Sequence, residues 1–441
     1  MAKKSEVKKV QIEDKSDSLT VNPKELGKNS NVTMKIKDNI QFRIFVGSYE
    51  HNLLCLSVII DPQGKRDAVF QPIFHFEAHS LSIKSIDLAR RYLVTGSNDE
   101  HIRIYDLQKR KELGNLLGHQ GTITSLRFSR DHGESNEKSG RWLLSGSEDG
   151  KIIIWRTKDW EMFGTLKGHT GKINDVAIHP SGRVAISVSS DQTIRLWNLM
   201  TAKKAAILKI KGKDHLGQVG EIVKWSKDGD YFIVGLNNQI FIYNTSTAKI
   251  SKKIKFSSTL MCLDVIVLDE KQWMVVGLGN GTIEFYDLDN ILTKIDQTIK
   301  ESKVWDSKPE LLTPEFQLIG HTKRIKGLTF FNHESTGYNP YLISVSSDGK
   351  IVIWDLKSRD QIAIYDTGER LNCVAASMES IEKVDSMKKR YSSLEEMNPD
   401  FDNGISESEY ETDGEEIKRV MTGKSNKKNK KRRVTVTLED N

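Results

Sequence analysis

Apolar and polar residues alternate along this chain in short, strand-sized runs, and the alternation repeats around one recurring motif: a tight turn, then an apolar strand ending in Trp or Tyr. Asp99, Asp149, Asp191 and Asp348 are each followed three residues later by Ile102, Ile152, Ile194 and Ile351. Six residues after each Asp stand Tyr105, Trp155, Trp197 and Trp354. Two weaker copies keep the offsets with Asn in the turn, as Asn237, Ile240, Tyr243 and Asn280, Ile283, Tyr286; a seventh, Glu50, Leu53, Leu56, keeps only the pattern. Alternate strand residues share a face, so an offset of six brings the turn acid and the closing aromatic together. A second strand precedes each turn, as at 92–96 and 142–146, and a third precedes that, as at 173–178. A fourth follows each aromatic, as at 160–166, so each unit predicts four strands.

Successive turn positions lie 49, 50, 42, 46, 43 and 68 residues apart, which suits a four-stranded unit with insertions. Residues 130–140 and 332–340 read as loops, and 289–314 reads as a long excursion between the sixth and seventh units. The first unit opens with two strands, 41–47 and 53–60, and lacks an inner partner, whereas the repeats end with a surplus strand at 371–378. The last strand is therefore expected to complete the first unit and close a ring.

Most units are introduced by Gly-His or a relative: Ala78-His79, Gly118-His119, Gly168-His169, Asp214-His215 and Gly320-His321. Together with the closing Trp354-Asp355, Tyr105-Asp106 and Tyr286-Asp287, these resemble the signature of WD40 repeats. The resemblance implies an all-β, seven-bladed WD40 β-propeller closed by its N- and C-terminal strands over residues 38–379. A flexible basic tail is expected at 1–37 and a disordered charged tail at 380–441.

Some constellations mimic enzyme sites. His169, Ser189, Asp191 and Trp197 suggest a hydrolase triad, but equivalent sets recur at His119, Ser147, Asp149, Trp155 and at His321, Ser346, Asp348, Trp354. An active site need not be built several times, and in WD40 proteins such sets form buried hydrogen-bond networks that tie loops to strands. The networks should be incomplete where Leu236 replaces a polar residue and Ser257 stands where a His is expected. Gly277, Gly279 and Gly281 mimic a dinucleotide fingerprint but fall in a turn register without the strand-to-helix context. No nucleotide-binding loop, zinc pair or isolated carboxylate pair remains, so no catalysis, cofactor or metal is expected.

Composition changes this picture only at the edges. The chain has 37% apolar and 29% charged residues, and no apolar run approaches a membrane span. No secretory leader is recognisable, so a reducing cytosolic or nuclear compartment is expected, with Cys55, Cys262 and Cys373 as small buried apolar residues. The net charge of +6 is uneven: residues 1–37 hold nine Lys against five acids, and 380–441 hold 13 Lys and Arg against 14 acids. The body is thus only mildly basic. Residues 395–416 contain ten acids and no Lys or Arg, too polar a block to bury a core. Within it Ser406, Ser408 and Thr412 each precede a Glu by three residues, an acidophilic-kinase pattern. Beyond lies a basic cluster, Lys424, Lys427, Lys428, Lys430, Lys431, Arg432 and Arg433, which reads as a nuclear localisation signal or as a solvated tail.

The order of the units, notably 41–49, 76–99 and 168–199 with its Val-Ser-Ser-Asp turn, and the Lys-rich C-terminus resemble the family of PAK-interacting proteins and the related yeast maintenance-of-killer WD40 protein. That resemblance implies a nucleolar, non-catalytic scaffold for large (60S) ribosomal subunit assembly and rRNA maturation. Its expected partners are precursor large subunits with their assembly factors or ribosomal proteins, and pre-rRNA. A monomer within a larger complex, away from membranes, is expected. The alternative it carries is negative regulation of p21-activated protein kinase by direct binding; the fold by itself also admits a ubiquitin-ligase substrate receptor. The expected contact surface is the ring of Gly-His loops together with 289–314. Lys323, Arg324 and Lys326 are candidate partner or RNA contacts there, with ordinary solvated charge as the other reading.

Overall fold

A computed structural model of the chain describes residues 40–61, 67–129, 140–210, 217–298, 308–332 and 340–379. Those residues form seven sheets, each with four antiparallel strands in meander order; the first takes its inner strand from the chain's last, and the fifth gains a short parallel edge strand, Glu310–Leu311. Blade 1 combines the last strand, Leu371–Met378, with Ile40–Ser48, Asn52–Ile60 and Val69–Glu77. Blade 2 is Ile83–Ala89, Tyr92–Ser97, Ile102–Asp106 and Lys111–Leu116; blade 3 is Ile123–Phe128, Trp142–Ser147, Ile152–Arg156 and Glu161–Leu166. Blade 4 comprises Ile173–Ile178, Val184–Ser189, Thr193–Asn198 and Lys203–Lys209. Blade 5 comprises Ile222–Trp225, Tyr231–Gly235, Gln239–Asn244 and Ile250–Lys255. Leu260–Leu268, Lys271–Leu278, Thr282–Asp287 and Phe316–Ile319 make blade 6, and Ile325–Phe331, Tyr341–Ser346, Lys350–Asp355 and Asp360–Asp366 make blade 7. The fold is the seven-bladed β-propeller expected from the repeat.

Strands this short cannot bury both faces alone, so the core lies between blades. Each neighbouring pair shares one apolar cluster, and the ring closes where Phe42, Ile44 and Val46 of blade 1 pack on Phe331, Tyr341 and Val345 of blade 7. Phe42 stacks on Phe331 with centroids 4.4 Å apart. The closing strand pairs in register with Ile40–Ser48 from Phe42↔Met378 to Gly47↔Cys373. Arg43, only 1% exposed, donates from Nε and Nη2 to Glu379 Oε1 at 3.0 and 2.6 Å, and Ser57 donates to the other carboxylate oxygen at 3.0 Å. The first and last strands are thus joined by backbone pairing, apolar packing and a largely buried ion pair.

Close blade approach also explains the glycine in the Thr-Gly-Ser and Ser-Gly-Ser ends of the second strands. A Cβ at Gly96 would lie 2.5 Å from Ile123 Cγ2 of the next blade, so only glycine fits without displacement.

Antiparallel order fixes which connections share a face. Outer-to-inner links between blades, carrying Gly-His, and second-to-third turns, carrying the Asp, lie at one end; inner-to-second and third-to-outer links lie at the other. The segment from 289 to 314 is a third-to-outer link, so among the described residues its helical start leaves blade 6 at the end opposite the Gly-His loops. The expectation of one surface made from both is corrected by this topology. Nor is that segment wholly a loop. It opens with the helix Leu288–Thr298, whose Leu288, Ile291 and Leu292 are buried in the core between blades 5 and 6, and it places Glu310–Leu311 parallel to the edge of blade 5. Apolar residues at spacings of three and four made that turn of helix worth burying.

Candidate functional site

Buried polar networks fix the loops of the Gly-His face. In blade 4, Ser187 Oγ is 2.8 Å from His169 Nε2 and receives a hydrogen bond from Trp197 Nε1 at 2.8 Å, while His169 Nδ1 lies 2.9 Å from Asp191. Blade 3 repeats this with His119, Asp149, Ser145 and Trp155, and blade 7 with His321, Asp348, Ser344 and Trp354. Blade 2 substitutes Thr95 for the serine and closes on Tyr105 rather than Trp. Each Asp also accepts the backbone N–H of the residue after its His, such as Gln120, Thr170 or Thr322, and of the residue two beyond itself. The carboxylate therefore ties the inter-blade loop to the turn.

The bridging hydroxyls are those of Ser145, Ser187 and Ser344, one same-face step before Ser147, Ser189 and Ser346, which sequence reading assigned to the networks. The latter serines sit at the strand ends: Ser147 donates to the Gly121 carbonyl at 2.8 Å, and all three accept the turn Asp N–H at 3.3 Å. Trp is long enough to reach diagonally to the earlier position, which places the polar junction deeper in the blade.

Burial lowers the pKa of His79, His119, His169 and His321, against the pull of their aspartates, and keeps the rings neutral. Burial alone would raise Asp191; hydrogen bonds from Thr193, His169 and the Thr170 N–H outweigh it and bring the carboxyl down to about 2. A neutral His then donates from Nδ1 and accepts the serine proton at Nε2. Although this is triad-like geometry, Ser145, Ser187 and Ser344 are wholly buried, and a Trp N–H occupies the oxygen a nucleophile would need. The arrangement positions loops and offers no substrate access.

Blades 5 and 6 depart from the scheme. Leu236 is buried in blade 5, where Tyr243 stacks on Phe232 at 4.8 Å in place of a polar junction. In blade 6 Glu284 accepts from Tyr286 at 2.7 Å and Gln317 at 3.2 Å. Over these two blades the Gly-His face opens into a cleft of about 560 Å³ lined by Glu221, Asn237, Ser258–Met261, Gly279, Asn280 and Arg324.

A feature that sequence reading missed surrounds the central channel. Six of the seven innermost strands carry a bulge near their start, shown by skipped pairing at Lys84, Thr124, Asn174, Met261, Lys326 and Asn372. Glu221 occupies the same place in blade 5, where its N–H donates to the Gly235 carbonyl. Bulges re-aim side chains, and here they set one residue in each of six blades out of the ladder at the Gly-His end of the innermost strand. Asn174 and Asn372 donate to the adjacent blade's backbone, at the Gly220 and Ile83 carbonyls. Two residues earlier stands a second ring, identified by a shared carbonyl-to-turn bond: Ser82, Thr122, Lys172, Thr259, Arg324 and Arg370. Only the alignment of bulges, which depends on register, could have revealed these rings.

The structure places Arg324 and Lys326 in the two rings and leaves Lys323 exposed beside them. Burial lowers the pKa of Lys326, and repulsion from Arg324 and Lys84 adds to this. Deeper in the channel Arg127 meets Asp175 at 3.2 Å and Lys224 meets Asp264 at 3.1 Å. Burial alone would lower Arg127, but Asp175, Asp87 and Asp264 together raise it. Of the cysteines, Cys55 and Cys373 are buried and Cys262 is partly so; burial pushes the Cys262 and Cys373 thiols up to about 12, so both stay protonated. No His, Cys, Asp or Glu grouping fit for a metal occurs among the described residues. Among them no helix is long and apolar enough to cross a membrane. The basic cluster from Lys424 to Arg433 and the acidic block lie outside the described residues.

The repeating four-stranded blades and their His–Asp–Ser–Trp junctions define a WD40 repeat protein. The WD domain, G-beta repeat model matches residues 70–106, 110–156, 160–198 and 312–355. The chain is 49% identical over 413 residues to Protein MAK11 of Saccharomyces cerevisiae, covering 90% of this chain and 96% of that protein. It is 36% identical over 346 residues to p21-activated protein kinase-interacting protein 1 of Homo sapiens, covering 77% and 78%. Shk1 kinase-binding protein 15 of Schizosaccharomyces pombe is 25% identical over 379 residues. This chain belongs to the MAK11 and PAK-interacting protein 1 family.

Proposed function

We propose that this chain is a non-catalytic WD40 scaffold in the biogenesis of the large ribosomal subunit, acting in the nucleolus on precursor particles and supporting maturation of their rRNA. The observation that carries this reading is the 49% identity to Protein MAK11 over 90% of this chain and 96% of that protein. Four blades spend their buried His–Asp pairs on fixing loop geometry, as a rigid platform requires. The basic cluster at 424–433 suits import into the nucleus. Affinity purification of the tagged full chain from growing cells tests the proposal. Precursor large-subunit proteins and rRNA should dominate the recovered material. Recovery of a p21-activated kinase without ribosomal precursors would replace this reading with kinase regulation, which the names of the human and fission-yeast relatives favour.

A further inference from the structure

The two rings at the channel mouth carry an imbalance of charge. Their ionisable members are Lys84, Lys172, Arg324, Lys326 and Arg370 against the single acid Glu221. Lys172 approaches Glu148 at 3.8 Å, but Lys84, Arg324, Lys326 and Arg370 make no ion pair among the described residues. They are also clustered rather than spread: Arg324 and Lys326 belong to blade 7, Arg370 to blade 1 and Lys84 to blade 2, which are consecutive around the ring. Lys326 feels the repulsion of both Arg324 and Lys84, so an external anion is favoured there.

We propose that this mouth docks an acidic polypeptide segment of a partner protein. Its carboxylates sit among Lys84, Arg324, Lys326 and Arg370, and its backbone runs into the adjoining cleft over blades 5 and 6. Asn237, Ser258, Thr259 and Asn280 line that cleft with both donors and acceptors, which matches peptide amides. Arg324 belongs to both the cleft and the cationic cluster and so links them. A nucleic-acid backbone fits less well for two reasons. Glu221 stands on the cleft wall and opposes a phosphate there, and the cations without an ion pair among the described residues are confined to blades 7, 1 and 2, which a continuous line of phosphates would overrun. An acidic peptide, by contrast, carries charge intermittently and can keep its acids on the basic arc. The inference does not depend on the large-subunit reading, since it concerns only the chemistry this face accepts.

The test uses the full chain and two labelled probes followed by fluorescence anisotropy: a short peptide of alternating Glu and Ser, and an oligouridylate of equal charge. The variants are Arg324→Glu with Lys326→Glu, and, as an opposite-face control, Lys227→Glu, exposed in the inner-to-second link of blade 5. Reversing two charges at the mouth should weaken peptide binding at least about tenfold, whereas the control should leave it unchanged. The oligouridylate should bind more weakly than the peptide and respond equally to both changes. Peptide binding indifferent to the mouth variant would overturn the proposal, as would tighter oligouridylate binding abolished by it. If the reversed variant lacks the parent's thermal transition, Arg324→Gln with Lys326→Gln gives the same reading with a smaller expected loss.

Discussion

Ring closure can be challenged at one residue. Glu379 follows the closing strand directly and holds Arg43, 1% exposed, through two hydrogen bonds while accepting a third from Ser57. Hydrogen bonds to charged groups contribute about 1.5–3 kcal/mol. Glu379 is 15% exposed, so water partly compensates its loss, and Glu379→Ala should destabilise the propeller by about 2–3 kcal/mol. Because Arg43 lies in the second strand of blade 1 and Glu379 at the far end of the chain, the cost should fall on global unfolding rather than on fraying of one terminus. Equilibrium denaturation followed by the fluorescence of the eight tryptophans measures it. Combining Glu379→Ala with Arg43→Met should give a coupling energy above about 1 kcal/mol. Removing Leu371–Met378 should abolish cooperative unfolding, since that strand pairs with Ile40–Ser48 and fills the core between blades 7 and 1. An unchanged midpoint in Glu379→Ala, or an intact transition after strand removal, would refute closure as the lock on the ring.

The blade junctions yield further tests. Ser145→Ala strands both His119 and Trp155 in a dry site and should cost about 2–3 kcal/mol, whereas Ser147→Ala, which loses chiefly one bond to a carbonyl, should cost about 1 kcal/mol; thermal denaturation showing the reverse order would return the junction to Ser147. Acid should destabilise the fold through the same groups. The histidines' folded pKa values lie below the ordinary 6.5, so the unfolded chain takes up protons first, and stability should decline as pH falls below about 6.5. Asp99, Asp149, Asp191 and Asp348, also lowered, add a second decline below the ordinary carboxylate value of 3.8. A urea midpoint at pH 5.5 equal to or above that at pH 7.5 would contradict the neutral-histidine assignment.

The repeat was legible because strand alternation and turn chemistry are local. The offset from Asp149 to Ile152 and Trp155 records one strand's face, and the surplus of 371–378 against the incomplete first unit exposed the closure. What depended on contacts between strands was less visible. Ser145 and Ser147 share a face and differ only in depth, so choosing between them required knowing how far Trp155 reaches. The helix at Leu288–Thr298 was hidden inside a polar insertion, where three apolar residues gain meaning only against the core of blades 5 and 6. Lys323, Arg324 and Lys326 were legible as a basic run. Their division into one position outside the rings, Lys323, and two ring positions follows from the bulge at Lys326, which no local pattern announces.

Depletion of this chain from growing cells, followed by measurement of subunit ratios and precursor rRNA, tests the scaffold account most directly. Free large subunits should fall relative to small ones while precursors of the large-subunit rRNA accumulate, and a chain lacking Leu371–Met378 should fail to restore either. An unchanged subunit ratio with normal precursor rRNA would contradict it.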